Sequence, residues 1–294
     1  MKNLVDEIKM HFGNATALYR LMSINVGVFL LLTLIRTCLF LFNVDSAWMD
    51  LLIRKLSLPS DLSVLLYQPW SILTYMFLHE GIMHILFNML IFYWTGKLLT
   101  EYLGNDKLWS TYILGGITGG LLYILAYNLL PAFSSVGAVA TLLGASAGVI
   151  AVLVAIATLL PNYPISLLFF GEVKLKYIAI VSILLYAISI PYGNAGGQIA
   201  HIGGALFGFI MIRQLRSGND LTKWLSKLIS SKGRTRSNMK VVSRSVKSSD
   251  DKFFHTKMTT QENIDRILDK INRSGFDSLT NDEKELLYRV SGKK

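Results

Sequence analysis

The sequence predicts an all-α membrane protein: a bundle of six transmembrane helices followed by a small helical tail. Three observations carry this reading. Charged residues make up 16% of the 294 positions and hydrophobic ones 52%, whereas soluble domains carry about 25% charged residues. The apolar residues are gathered into runs of about 17 to 25, the length that crosses a bilayer as a helix. Strong breakers, Pro161-Asn162-Tyr163-Pro164 and Pro191-Tyr192-Gly193-Asn194, divide the later runs.

The first expected span is Met22 to Phe42. It carries Arg36 in its second half, where the guanidinium can snorkel to the headgroups or face a neighbouring helix. Val44 to Pro69 is too broken to span and too apolar for a linker, so it predicts short amphipathic helices lying in the interface. The second span lies within Trp70 to Leu99. The third, Leu108 to Leu130, places Gly115, Gly116, Gly119 and Gly120 at a spacing that permits close helix contact in lipid. After the uncharged loop Pro131 to Thr141 come Gly144 to Leu160, Val173 to Ile190 and Gln198 to Leu215 as the fourth, fifth and sixth spans.

Six spans put both termini on one side. Lys97, Lys107, Lys174, Lys176, Arg213 and Arg216 fall on that side, and the opposite loops offer Arg54 and Lys55. The positive-inside rule then makes both termini cytoplasmic, in a cell membrane. The expected organisation is a cytoplasmic segment (1–21), the six-span domain (22–216), a basic flexible linker (217–259, most polar over Ser230 to Ser249) and a cytoplasmic helical hairpin (260–294). In the hairpin, Ile264, Ile267, Leu268 and Ile271 repeat at helical spacing before a stop at Gly275. Thr280-Asn281-Asp282-Glu283 reads as a capping box opening a second helix through Leu286, Leu287 and Val290. With no convergent reactive groups, this tail reads as a docking or regulatory element whose partner is unassigned.

Several classes are disfavoured. Much of the net charge of +10 lies beyond the last span, where orientation and anionic lipid account for it, so nucleic acid is not an expected partner. Cys38 is the single cysteine, which excludes an intrachain disulfide. The apolar run after residue 20 is too long for a signal peptide and lacks a small-residue cleavage site, so it is expected to remain as an anchor. His79, His84 and His201 lack carboxylate or thiolate partners at ligand spacing, so neither a metal nor another cofactor is expected.

Ionisable and polar groups inside spans are functional hypotheses. His84 and Asn88 lie four apart on one face of the second span, Ser146 opens the fourth, and His201 lies in the sixth. A serine becomes a nucleophile when a histidine can take its proton, and donors are needed where the tetrahedral oxyanion forms. Ser146, His201 and the His84/Asn88 pair supply those parts. Gly204 and Gly208 would let the sixth helix approach the fourth closely. Singly, a serine at a helix start is usually an N-cap and an asparagine in a span is often interhelical glue.

The same residues carry a family resemblance. Gly144-Ala145-Ser146 resembles the GxSx motif of rhomboid intramembrane serine proteases, His79 to Asn88 their second-span HxxxxHxxxN pattern, and Ala200 to Gly208 their AHxxGxxxG pattern. The resemblance covers Met22 to Leu215. It implies a Ser146/His201 dyad with no third acid, and an oxyanion hole from His84, Asn88 and the Ser146 backbone N–H. His79, Gly144, Gly204 and Gly208 are supporting residues. It also implies transmembrane protein substrates, single-span or other, cleaved near the extracytoplasmic boundary, with the fifth helix and the loop from Pro191 to Gly197 as the gate. Three positions depart from the family pattern: Ala147 replaces a common glycine, Trp70 is followed by Ser71 rather than arginine, and Ile150 stands where an aromatic ring commonly stacks on the histidine. The missing ring predicts a looser His201 and slower or more selective cleavage. The alternative is a catalytically weak or inactive rhomboid-like protein that binds membrane helices.

Overall fold

The computed structural model describes residues 16–137, 139–167 and 171–225, and, as a separate unit, 266–267, 270–271, 278–280 and 282–284. Expectations for residues 1–15, for the linker from 226 onward, and for Ile264, Leu268, Gly275, Leu286, Leu287 and Val290 lie outside the described residues.

Helix α1 is Ala17–Leu41. It starts ahead of the expected Met22 because the Ala17 N–H, an orphan donor at a helix start, finds the side-chain oxygen of Asn105 at 2.8 Å. Its buried residues are Ala17, Leu18, Leu21 and Asn25, so only its first third is packed on protein. The amphipathic connection folds as α2 (Ala47–Leu56), β1 (Leu58–Pro59), α3 (Leu62–Tyr67) and α4 (Ser71–Thr74). Arg36 meets Asp50 of α2 at 3.3 Å. The Trp70 indole N–H donates to the Lys55 carbonyl (3.0 Å) and the Thr74 hydroxyl to the Leu56 carbonyl (2.7 Å), which closes the connection on itself.

Helices α5 (Ile82–Leu103) and α6 (Asn105–Leu129) are separated by Gly104 at φ +87°, a left-handed conformation that suits glycine. Strand β2 (Thr141–Leu142) pairs antiparallel with β1, tying the amphipathic connection to the segment just before Ser146. Helix α7 is Ser146–Leu159, and every residue in it except Ser146 and Thr158 is buried. A hairpin of β3 (Pro164–Leu167) and β4 (Gly171–Lys174) follows. The breaker at 161–164 did not foreshadow these strands, although Pro164 takes the first strand position, where its missing N–H is tolerated. Helices α8 (Leu175–Ser189) and α9 (Ala195–Arg216) complete the bundle. The Asn194 side chain caps α9 by accepting from the Gly197 N–H at 3.1 Å.

Among the described residues, five helices are long and apolar enough to cross a membrane: α1, α5, α6, α8 with its following turn, and α9. The fourth expected span is the exception. At 14 residues, α7 is about 21 Å long, short of the ~30 Å hydrocarbon layer. It is apolar on all sides because protein surrounds it.

Small residues weld α7 to α6 and α9. A Cβ added at Gly204 would overlap the Ala147 carbonyl oxygen, one at Gly208 the Ala151 carbonyl oxygen, and one at Gly115 the Ala151 methyl. A buried polar network joins the outer elements to this centre. Asn25, wholly buried, donates to the Leu21 carbonyl (2.8 Å) and the Tyr112 hydroxyl (3.1 Å), and that hydroxyl donates to the Met76 carbonyl (3.1 Å). Beyond α9, Asp220 is held by Lys107 and Thr222. Burial opposes its charge, but hydrogen bonds from both residues outweigh that and keep its carboxyl below the usual range.

In the tail unit, residues 266–267, 270–271 and 282–284 are helical and Ile267 is buried. The expected capping box is made: the Thr280 N–H donates to Glu283 Oε2 (2.9 Å) and the Glu283 N–H to Thr280 Oγ1 (3.3 Å). Lys270 also reaches Glu283 at 2.8 Å. The Lys270 hydrogen bond, with that from the Thr280 backbone, lowers the Glu283 carboxyl from 4.5 to about 2. Its folded value lies below the unfolded one, so its contribution to tail stability is complete above pH 4.5 and fades as pH falls towards 2. Carbon-13 titration of Glu283 in the intact chain should give a midpoint far below that of an ordinary glutamate, and Lys270→Met should move it back upward.

Candidate active site

Ser146 is the first residue of α7, and the position before it, which caps the helix, is Ala145. Ser146 is therefore not acting as an N-cap. Its hydroxyl oxygen lies 2.6 Å from His201 Nε2 on α9, across 55 residues of sequence. The close approach of the two helices at Ala147 and Gly204 brings this pair together, since Gly204 lies one turn after His201 on the same face. The other ring nitrogen of His201, Nδ1, is buried with no hydrogen-bond partner among the described residues. Among the described residues no acid orients this imidazole. It is instead packed against the Tyr186 ring of α8, with centroids 4.3 Å apart and planes inclined at 55°.

Gly144 adopts φ +132°, where a side chain is strained, and its N–H donates to the Tyr75 carbonyl at 2.9 Å. The position a Cβ would take there lies 3.3 Å from His84 Nε2 and 3.5 Å from Ser146 Oγ. Glycine thus keeps a small space open between the serine and the His84 ring. Asn88, one turn along α5, is 7% exposed, and its amide donates to the His84 carbonyl at 2.9 Å. The amide has two hydrogens, so one donor is left after this bond. His79 lies edge-on to His84, with centroids 5.2 Å apart.

This space sits at the N-terminal end of α7, whose first backbone N–H groups have no intrahelical acceptor and whose dipole is positive there. Negative charge developing beside Ser146 is favoured on both counts. The structure thus brings Ser146, His201, His84 and Gly144 around one point, fixes Asn88 one turn from His84, and sets Gly204 and Gly208 behind them as packing residues. Sequence reasoning missed Tyr186, Tyr75, Tyr112 and Asn25. The first three are aromatics in apolar runs, indistinguishable there from lipid-facing residues. Asn25 carried a usable signal as an amide inside an expected span.

Two departures from the family pattern find partners. A Cβ at Gly119 would come within 2.6 Å of the Ala147 methyl, so a glycine on α6 makes the room that Ala147 needs. Ile150 is 2% exposed and offers no ring, but Tyr186 does, from another helix.

Fold and site together define a multi-pass membrane protein with a serine–histidine pair enclosed by its helices. The chain belongs to the rhomboid family: the family model described as Rhomboid domain matches residues 67–217. A second model, a family of unknown function (DUF6576), matches residues 247–293. The chain is 30% identical to Rhomboid-like protease 3 of Toxoplasma gondii over 162 residues, 54% of this chain and 56% of that protein. It is 32% identical to RHOMBOID-like protein 6, mitochondrial, of Arabidopsis thaliana over 158 residues, 51% of this chain and 46% of that one. RHOMBOID-like protein 7 of the same plant is 29% identical over 147 residues, 49% of this chain and 42% of that protein. The chain spans about half the length of the curated relatives it matches.

Proposed function

We propose that this protein is an intramembrane serine endopeptidase that cleaves transmembrane-helix substrates near the extracytoplasmic membrane boundary with a Ser146/His201 dyad. The observation that carries the reading is the 2.6 Å contact between Ser146 Oγ and His201 Nε2 at the N-terminus of a core helix. Ser146 attacks the scissile carbonyl carbon while His201 Nε2 accepts the hydroxyl proton. The oxyanion is stabilised by the Ser146 N–H, His84 and the remaining Asn88 donor. His201 then protonates the leaving amine. In the second half His201 takes a proton from a water that attacks the acyl carbon, and returns it to Ser146 Oγ as the Oγ–acyl bond breaks and the carboxylate product leaves. The proposal includes the cell-membrane location with both termini cytoplasmic, the bilayer as surroundings, and the four-part organisation at 1–21, 22–216, 217–259 and 260–294. The alternative is a catalytically weak or inactive rhomboid-like protein that binds membrane helices; the room that Gly119 leaves for Ala147 and the Tyr186 ring against His201 support the protease reading over it.

The test is incubation of the purified protein with a single-span substrate carrying small residues at its outer boundary, alongside labelling by a fluorophosphonate. Both signals are expected from the wild type and neither from Ser146→Ala. Cleavage that survives in Ser146→Ala refutes the assignment. Gly144→Ala should lower both signals by at least tenfold, because its methyl strains the backbone and fills the space between His84 and Ser146.

A further inference from the structure

We propose that Tyr186 is a positioning residue that holds His201 on Ser146, so that the orientation of the catalytic base depends on the seating of α8; this rests on the protease reading above. An imidazole with a free Nδ1 has one hydrogen bond, to Ser146, and can swing about its own side-chain torsions unless something fixes its plane. A carboxylate on Nδ1 would do so, and none is there among the described residues. A ring from α7 one turn below Ser146 would also do so, but that position is Ile150, which has no flat face. The ring packed on His201 is Tyr186, at 4.3 Å between centroids. Its neighbours Leu184, Leu185 and Ile188 are 55%, 56% and 63% exposed, so Tyr186 marks the side of α8 that faces the bundle at this level.

The source of the ring has a consequence. The buried residues of α8 are Leu175 and Ala179, both in its first half, whereas Tyr186 lies in its last turn. The end of α8 that carries Tyr186 is the loosely packed end. A tilt of that end away from α9 removes the ring from His201 without disturbing the α7–α9 contact that places Ser146. The base is therefore ordered when α8 is seated and released when its end departs.

The experiment compares wild type, Tyr186→Phe and Tyr186→Leu as full chains, reading kcat and KM for the single-span substrate, the rate of fluorophosphonate labelling at Ser146, and the thermal unfolding midpoint. Tyr186→Phe keeps the ring and should retain kcat within about twofold. Tyr186→Leu should lower kcat and labelling rate together by about tenfold to a hundredfold, with KM within about twofold of wild type. The thermal midpoint should not move, which separates this outcome from a packing defect. If Tyr186→Leu lowers the midpoint, Tyr186→Met carries the same expectation with a more adaptable side chain. Wild-type kcat in the folded, ring-less variant overturns the positioning role, and so does an equal loss in Tyr186→Phe. Both results leave the protease reading intact if labelling depends on Ser146. A wild type with neither Ser146-dependent labelling nor cleavage overturns the protease reading, and the positioning role with it.

Discussion

His201→Ala is expected to reduce substrate cleavage by about two to four orders of magnitude, the range associated with loss of a general base. Among the described residues the partner of the Ser146 side chain is His201: its hydroxyl oxygen sits 2.6 Å from His201 Nε2. Without that nitrogen the serine proton has no acceptor at neutral pH, and the departing amine has no donor. The two residues act as one unit, so adding His201→Ala to Ser146→Ala should cost nothing beyond the loss in Ser146→Ala alone, a non-additivity that independent contributions would not produce. Fluorophosphonate labelling, which needs the nucleophile but no leaving amine, should also fall. The small space beside Gly144 and the α7 N-terminus survive in His201→Ala, so residual turnover above background is compatible with the scheme. Multiplicative losses in the double variant would break the dyad assignment.

The second large effect is expected from Gly204→Ala. A methyl there would overlap the Ala147 carbonyl oxygen, a backbone atom in the first turn of α7 that cannot rotate away. The helices must separate, at a cost of about 1–3 kcal/mol for overpacking. The matched control is Gly27→Ala, because among the described residues nothing lies within 4 Å of a Cβ built at Gly27, an exposed position of α1. Thermal unfolding in detergent should show a clear drop for Gly204→Ala and little change for Gly27→Ala. The displacement also acts on chemistry, since His201 lies three residues before Gly204 and moves with it away from Ser146. Cleavage and labelling should fall even where the protein remains folded, and equal behaviour of the two variants would contradict the packing described.

Much of this was legible in the chain. Tertiary contact in lipid leaves compositional marks, so the glycines at 115, 119, 204 and 208 announced a close-packed centre before any geometry was known. Ser146, His84, Asn88 and His201 were conspicuous because polar groups inside apolar runs are costly unless used. The capping box at Thr280 and Glu283 was readable because both partners sit within one helical turn. The short antiparallel pairs were not, since β1 and β2 depend on residues far apart in sequence and β3–β4 follows a segment that reads only as a breaker.

By itself the sequence determined the membrane class, the order and approximate ends of the helices, and the four polar residues of the candidate site, because hydropathy, helix period and breakers are local properties. The tertiary structure decided that α7 is a core helix shorter than a span, that Asn25 and Tyr112 join α1 to the centre, and that the ring on His201 comes from Tyr186. An apolar residue has the same composition whether lipid or protein covers it, and an aromatic ring contacts a histidine through space from any helix. Only the packed arrangement tells these apart.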